Sequence, residues 1–204
     1  INTPFCDRSP VLHPDMKTLY FCSEGHGTLG DLDVFKSTRI YEDSWTDWTT
    51  PVNIGKEINS VDLDCWYRIS TDGKKAYFSK TTDNDSKLYT TIIPKNMQPD
   101  PVVTIAGRVV DMENKPVGTT IRWENLQTHA TIGQIHSDPI DGAFFIVLPQ
   151  GKNYGYFIDD KRYFPYADHI DLRNSQQSKQ IYRNIQVETI ERMKHLGTAV
   201  RLNN

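Results

Sequence analysis

The chain has 204 residues, of which 37% are hydrophobic and 11% aromatic, enough for a packed core and too many for a disordered segment. A formal charge of −3 excludes the basic footprint of a nucleic-acid binder. The longest unbroken apolar run, residues 143–148, is far shorter than the ~20 residues that cross a bilayer as a helix.

The chain opens Ile1-Asn2-Thr3-Pro4 with no basic stretch or apolar core, so no signal peptide is expected and the sequence reads as an internal piece of something longer. Shifted by 57 positions, residues 1–22 match residues 58–79 without gaps, with seven identities. Ile1-Asn2 falls on Ile58-Asn59, Asp7 on Asp64, Asp15 on Asp72, Lys17 on Lys74, and Tyr20-Phe21 on Tyr77-Phe78. In each copy an Asp-containing turn separates two runs rich in aromatic and β-branched residues: 10–13 and 18–23, then 66–70 and 75–80. A third run follows in each, 33–40 and 87–93, and the first copy offers a fourth at 50–54. Asp15 and Asp72 should bond their own backbone across a tight turn. A repeat of four short strands with this period predicts propeller-like blades.

The run Ser9-Pro10-x-x-x-Pro14-Asp15-x-Lys17-x-Leu19-Tyr20-Phe21-x-Ser23, followed by Gly30-Asp31-Leu32-Asp33-Val34-Phe35, resembles the TolB-like (WD40-like) Pro-Asp β-propeller repeat. The second copy matches through Ser70-x-Asp72-Gly73-Lys74-x-Ala76-Tyr77-Phe78-Ser79, with Thr71 in place of the proline. The resemblance implies that residues 1–95 are about two C-terminal blades of a propeller. Two blades alone leave two faces bare, with Leu19, Phe21, Tyr77 and Phe78 expected on them.

Pro94, Pro99 and Pro101 punctuate a polar stretch, with the linker placed at 96–101. Strands are then predicted at 104–111, 119–124 and 143–148, the last being the most buried. Ile105-x-Gly107-x-Val109, Lys115-Pro116, and Gly142-x-Phe144-x-Ile146-x-Leu148-Pro149-x-Gly151-x-x-Tyr154 resemble a carboxypeptidase-regulatory-like domain. That resemblance implies a transthyretin-like, seven-stranded β-sandwich over 102–192, of a kind often used as a spacer. Residues 197–204, ending Leu202-Asn203-Asn204, resemble the entry into an OmpA-type peptidoglycan-binding domain, with 193–204 as its connector. The order of these pieces resembles outer-membrane-associated OmpA-family proteins of Bacteroides-type bacteria.

Several constellations bear on chemistry. Gly25-His26-Gly27-Thr28-Leu29-Gly30 spells a dinucleotide fingerprint, but the β-branched run 31–40 follows where a helix is required, so a loop is the better account. Asp83-Asn84-Asp85-Ser86 opens like a calcium loop but has Leu88 and Pro94 where Gly and Glu are needed. Asp138 and Asp141, and Asp159-Asp160, read as turn carboxylates rather than an acid–base pair. The histidines at 13, 26, 129, 136, 169 and 195 lack metal-binding spacing, and no nucleophile elbow is present. Trp45, Trp48 and Trp66 with Tyr20, Tyr67 and Tyr77 could build a sugar platform, although packing between blades explains most of them more simply. The burial tendency of cysteine favours three free thiols; in an oxidising compartment the expected pairing is Cys6–Cys65.

These readings assign no catalytic, cofactor or metal residue and leave ligand-binding residues open. The expected function is a non-enzymatic periplasmic, outer-membrane-associated scaffold. Its partners would be envelope proteins and, by resemblance, peptidoglycan, in type IX secretion or envelope integrity. The alternative is a carbohydrate-binding or accessory module of a secreted hydrolase.

Overall fold

The computed structural model describes residues 1–83 and 85–191. Among the described residues the protein is all-β apart from a short 3₁₀ turn at Lys95–Met97 and helical residues at 190–191, and it divides into two compact units after Val102. No helix among the described residues is long and apolar enough to cross a membrane.

The first unit holds two antiparallel meanders. β1 (Asp7–Leu12), β2 (Thr18–Ser23), β3 (Asp33–Thr38) and β4 (Val52–Asn53) pair in sequence order, as do β5 (Leu63–Ile69), β6 (Lys75–Thr82) and β7 (Asp85–Ile92). The two sheets bury Tyr20, Cys22, Leu32, Val34 and Ile54 from the first against Cys65, Tyr67, Ala76 and Phe78 from the second. Tyr20 and Tyr67 lie ring to ring across this interface, 4.8 Å between centroids. Cys22 and Cys65, both fully buried, form a disulfide with Cα atoms 5.7 Å apart. Both cysteine expectations, three free thiols or a Cys6–Cys65 bridge, are corrected: Cys65 bonds Cys22 across the packed faces, and Cys6, just ahead of β1, is exposed and free.

The 57-residue repeat is visible atom by atom. Ser9 and Trp66, equivalent in the two copies, both take positive φ (55° and 53°) at the bulge that interrupts β1–β2 and β5–β6 pairing. Met16 and Gly73 occupy the left-handed position of the two turns, with φ of 61° and 74°. Asp7 accepts bonds from the Thr3 backbone N–H at 2.6 Å and hydroxyl at 3.0 Å, and Asp64 takes the same pair of bonds from Ser60. The Asp15 carboxylate accepts the N–H of Lys17 at 2.9 Å, as Asp72 accepts that of Lys74 at 3.1 Å.

The copies differ in what covers them. Asp15 is 2% exposed and also accepts the Thr18 N–H (2.9 Å), the Thr18 hydroxyl (2.7 Å) and the Asp100 N–H (3.0 Å). Burial pushes its carboxyl up, but the His13, Thr18 and Lys17 hydrogen bonds outweigh that and hold it below the usual carboxylate range. The stretch read as a linker is thus bonded to the first sheet: the Met97 carbonyl also accepts from the Tyr20 hydroxyl (3.2 Å) and Lys36 Nζ (3.3 Å). Asp72 is exposed and has no such cover; its bond from Ser70 is the largest influence lowering its carboxyl. Of the four residues expected on bare faces, Phe21 (3% exposed) and Phe78 (2%) are buried instead. Phe78 sits between the sheets, and the rings of Phe35 and His26 flank Phe21.

Among the described residues the second unit has seven strands in two sheets: β8 (Val102–Asp111), β9 (Thr120–Asn125), β10 (Thr131–His136), β11 (Ala143–Pro149), β12 (Asn153–Ile158), β13 (Tyr166–Asp171) and β14 (Lys179–Val187). One sheet runs β10-β9-β12-β13 and the other β11-β8-β14, with β14 parallel to β8. Trp123, Tyr154, Tyr156, Ile105, Val109, Leu148 and Ile185 fill the space between them. Gly142, at φ 77°, closes the turn into β11. Its N–H reaches the Asp138 carbonyl at 2.7 Å and its carbonyl accepts from Val109 N–H at 2.9 Å. A Cβ there would lie 2.3 Å from the Val109 carbonyl oxygen.

Gly142→Val should therefore destabilise the second unit by at least about 1–3 kcal/mol, from the left-handed backbone alone. Calorimetry should show its transition fall while the first unit's stays; an equal fall of both would refute the separation. Asp15→Asn should cost the first unit about 2–4 kcal/mol, since it unpairs buried donors, whereas Asp72→Asn should cost under about 1 kcal/mol. Because the folded Asp15 carboxyl is held low, its stabilisation is complete above the ordinary Asp range near ~3.9 and fades as pH falls below it. Acid titration of the melting temperature should be flatter in Asp15→Asn than in the parent chain.

Candidate functional site

The first sheet turns one face to the second sheet, and its other face, on which Phe21 and Phe35 are already buried, carries a cleft of about 480 Å³. Pro10, Leu19 and Phe21 lie in it beside Ile1, Asn2, Asp7 and Arg8, with Trp45, Thr46 and Trp48 also lining it. The β1 bulge helps to place these groups, because positive φ at Ser9 shifts the strand register between Arg8 and Val11. Trp45 and Trp48 belong to the 41–51 loop, whose shape is fixed locally. The Trp48 indole N–H donates to the Trp45 carbonyl at 2.9 Å, and the Arg39 guanidinium lies 4.1 Å from the Trp45 ring centre. Trp45 remains 53% exposed.

Asp7 is the carboxylate of the cleft. Burial raises its pKa, but hydrogen bonds from Ser23 and Thr3, together with the His26 charge, bring it below the ordinary range. It is committed as an anion and an acceptor, with no proton to exchange near neutrality. An aromatic wall, an exposed arginine, an amide and a pinned carboxylate suit binding a surface better than acid–base chemistry.

The other singled-out residues do structural work. Asp138 and Asp141 accept the N–H groups of Ile140 (2.7 Å) and Ala143 (2.8 Å). Asp160 takes hydrogen bonds from Arg162, the largest influence holding it well below the carboxylate range, and from Thr119. Asp159 pairs with Arg122 at 3.3 Å. The glycine-rich run 25–30 leads into β3, so no helix N-terminus receives it. Of the calcium-like loop, Asp83 is in the turn closing β6 to β7 and Asn84 lies outside the described residues. His13 is buried, with Nε2 3.2 Å from the Thr71 carbonyl, and His195 lies outside the described residues. Among the described residues no group of three or more His, Cys, Asp or Glu is placed to hold a metal. Tyr20 and Tyr67 are core residues, while Trp66 (59% exposed) and Tyr77 (44%) face outward, away from Trp45 in sequence and sheet.

Sequence reasoning missed Asn59. Its Oδ1 accepts the Val34 N–H at 2.9 Å and its Nδ2 donates to the Val34 carbonyl at 2.8 Å, so one side chain from the second copy clamps the third strand of the first sheet. The signal was available, since Ile-Asn opens both copies, but its meaning needs the partner strand.

No family model and no curated protein matches the chain. Similar solved structures include hydroxyquinol 1,2-dioxygenase from Pseudomonas putida DLL-E4, at 13% identity and TM-score 0.35, over 46% of this chain and 58% of that one. The Bacillus anthracis TIE protein aligns at 10% identity and TM-score 0.39, over 76% of this chain and 28% of that one. A C-terminal fragment of the pilus adhesin SpaC from Lactobacillus rhamnosus GG aligns at 11% and TM-score 0.34, over 88% and 78%. The chain spans little more than half the length of the dioxygenase. At these scores no family and no activity transfers. The expected membership of an OmpA family with TolB-like, WD40-like propeller blades and a carboxypeptidase-regulatory-like domain is corrected. The similar structures are dioxygenase, pilin and adhesin folds, and the described residues of the first unit form two packed sheets and no closed ring. The OmpA-like entry at 197–204 lies outside the described residues. What stands is an all-β chain of two units.

Proposed function

We propose that this protein is a non-enzymatic scaffold of an oxidising compartment outside the cytoplasm, a periplasm or cell surface. The first unit offers its open sheet face to a protein partner, and the second, a transthyretin-like sandwich, spaces it from whatever flanks it. The observation that carries the compartment is the Cys22–Cys65 disulfide, buried at the centre of the sheet interface. The binding role is supported by the cleft, whose aromatic and arginine content matches the anchors of protein interfaces. The candidate carboxylates are engaged in turns and ion pairs, which supports a non-catalytic role.

A second reading has its own observation. Trp45 and Trp48 line the same cleft as Asn2, Asp7 and Arg8, the mixture of aromatic and hydrogen-bonding groups that a sugar ring uses. Calorimetry against oligosaccharides separates the two. Scaffold function predicts no saturable heat; binding of a defined glycan that disappears in Trp45→Ala or Trp48→Ala would establish the sugar reading in its place.

The disulfide gives a further check. Chain taken from its own cell and alkylated without reductant should carry label on Cys6 alone, and three alkylated thiols would overturn the compartment. Cys22→Ala with Cys65→Ala should cost about 4 kcal/mol in the chain-entropy account, for a bridge closing 43 residues. Chemical denaturation of the first unit would measure it.

A further inference from the structure

The two sheets of the first unit meet through different faces, and each face has a repeat-equivalent on the outer side of the other sheet. In the second sheet, Cys65, Tyr67, Ala76 and Phe78 pack on the first sheet. Their equivalents 57 positions earlier are Arg8, Pro10, Leu19 and Phe21, which all line the cleft; Arg8 and Pro10 are exposed and Leu19 is half-buried, while Phe21 is already covered. In the first sheet, Tyr20, Cys22 and Val34 receive that packing. Tyr20 and Cys22 correspond to Tyr77 and Ser79, and Val34, which pairs with Cys22, corresponds to Leu88, which pairs with Ser79. Val34 is fully buried, whereas Leu88 is 78% exposed, and Tyr20 is 1% exposed against 44% for Tyr77; Ser79, like Cys22, is buried.

The polar clamp repeats as well. Asn59 grips both backbone groups of Val34, and its equivalent Asn2 stands exposed beside the cleft. Leu88 lies on β7, which has β6 as its one partner among the described residues. Thr82–Asp85 closes a tight hairpin, so alternation makes Ser79–Leu88 a non-hydrogen-bonded pair and turns the Leu88 N–H and carbonyl to the open edge. The unit therefore carries a socket and a plug of one interface on opposite sides.

We infer that a second copy of this chain docks there head to tail. The β5–β6–β7 sheet of one copy seats Tyr77 and Leu88 on the Arg8, Pro10 and Leu19 face of the next, with Asn2 gripping the Leu88 backbone. The contact continues an interface the chain already makes within itself, and it rests on reading the cleft as a protein-docking face. A contact between unlike faces does not close on itself in a pair, so it builds rings or open chains.

Sedimentation of the full chain tests this. The weight-average mass should rise about twofold or more with concentration, as unlike-face association requires. Leu88→Lys removes the plug and Leu19→Lys the socket, so each variant alone should remain monomeric. Mixed in equal amounts they should form dimers and nothing larger, because each supplies the face the other lacks. Asn2→Ala should weaken association of the parent chain at least about fivefold, the loss of one to two backbone hydrogen bonds. Retention of the Cys22–Cys65 bridge and of the parent melting temperature shows each variant folded. A parent chain monomeric at its highest soluble concentration, or a variant mixture without dimers, overturns the inference. A monomeric chain whose cleft binds a foreign protein, lost in Leu19→Lys, overturns it while leaving the scaffold reading intact.

Discussion

The first unit depends on the closure of one sheet face, carrying Tyr20, Cys22 and Val34, on another carrying Cys65, Tyr67, Ala76 and Phe78. Neither meander has a core of its own, and sheets of three or four strands need an apolar face covered to be stable in water. Three different forces hold that contact. Apolar burial and the Tyr20–Tyr67 ring contact supply most of the area, the disulfide limits the unfolded chain, and Asn59 bonds both backbone groups of Val34, whose carbonyl also accepts the Ile54 N–H at 3.3 Å.

A frame used twice has been adapted through its surroundings more than through its own residues. Both copies build the same bulge, the same left-handed turn position and the same Asp-to-Thr or Asp-to-Ser entry bonds. Yet Asp15 is a buried junction of five backbone and side-chain bonds, counting His13, and Asp72 is a surface turn residue. The difference is how the segment 94–101 meets them: Asp100, Met97 and Gln98 hydrogen-bond to the first copy, whereas Pro99 stands beside Gly73 of the second and leaves Asp72 exposed. The same repeated face can thus be core in one copy and surface in the other, which is where binding capacity comes from.

Legibility in the sequence followed the same division. The repeat, its Asp turns and the strands of the first unit were readable because local bonding demands the same residue types at the same spacing. The pairing of Cys22 with Cys65 was not, because the repeat sets them opposite Ser79 and Arg8, so neither has a cysteine counterpart. Burial of Phe21 and Phe78 was missed because alternation says which residues share a face and not what covers it. In the second unit, β10, β12, β13 and β14 escaped strand assignment: β14 buries Ile185 and Val187 and β13 buries Ile170, too few apolar positions for a period to stand out. β12, with Tyr154, Tyr156 and Ile158 buried, is broken by Gly155 and runs into the Asp159-Asp160 turn. β11, expected to be the most buried strand, leaves Phe145 70% exposed and is less buried than β12. The resemblance to propeller and OmpA families rested on turn and hairpin residues that many antiparallel sheets need.

The parallel pairing of β8 with β14 has a mechanical meaning. The strand that enters the second unit and the strand that leaves its sandwich lie side by side, in register from Val103–Lys179 to Asp111–Val187. Tension applied at the start of one and the end of the other pulls them in opposite directions along their length. Every backbone bond of the ladder is then loaded together, in shear, instead of being peeled one at a time. Gly107, whose missing Cβ lets the Arg183 carbonyl approach, keeps that ladder tight at its middle. A sandwich wired in this way transmits a pull between its two ends while its core stays shut.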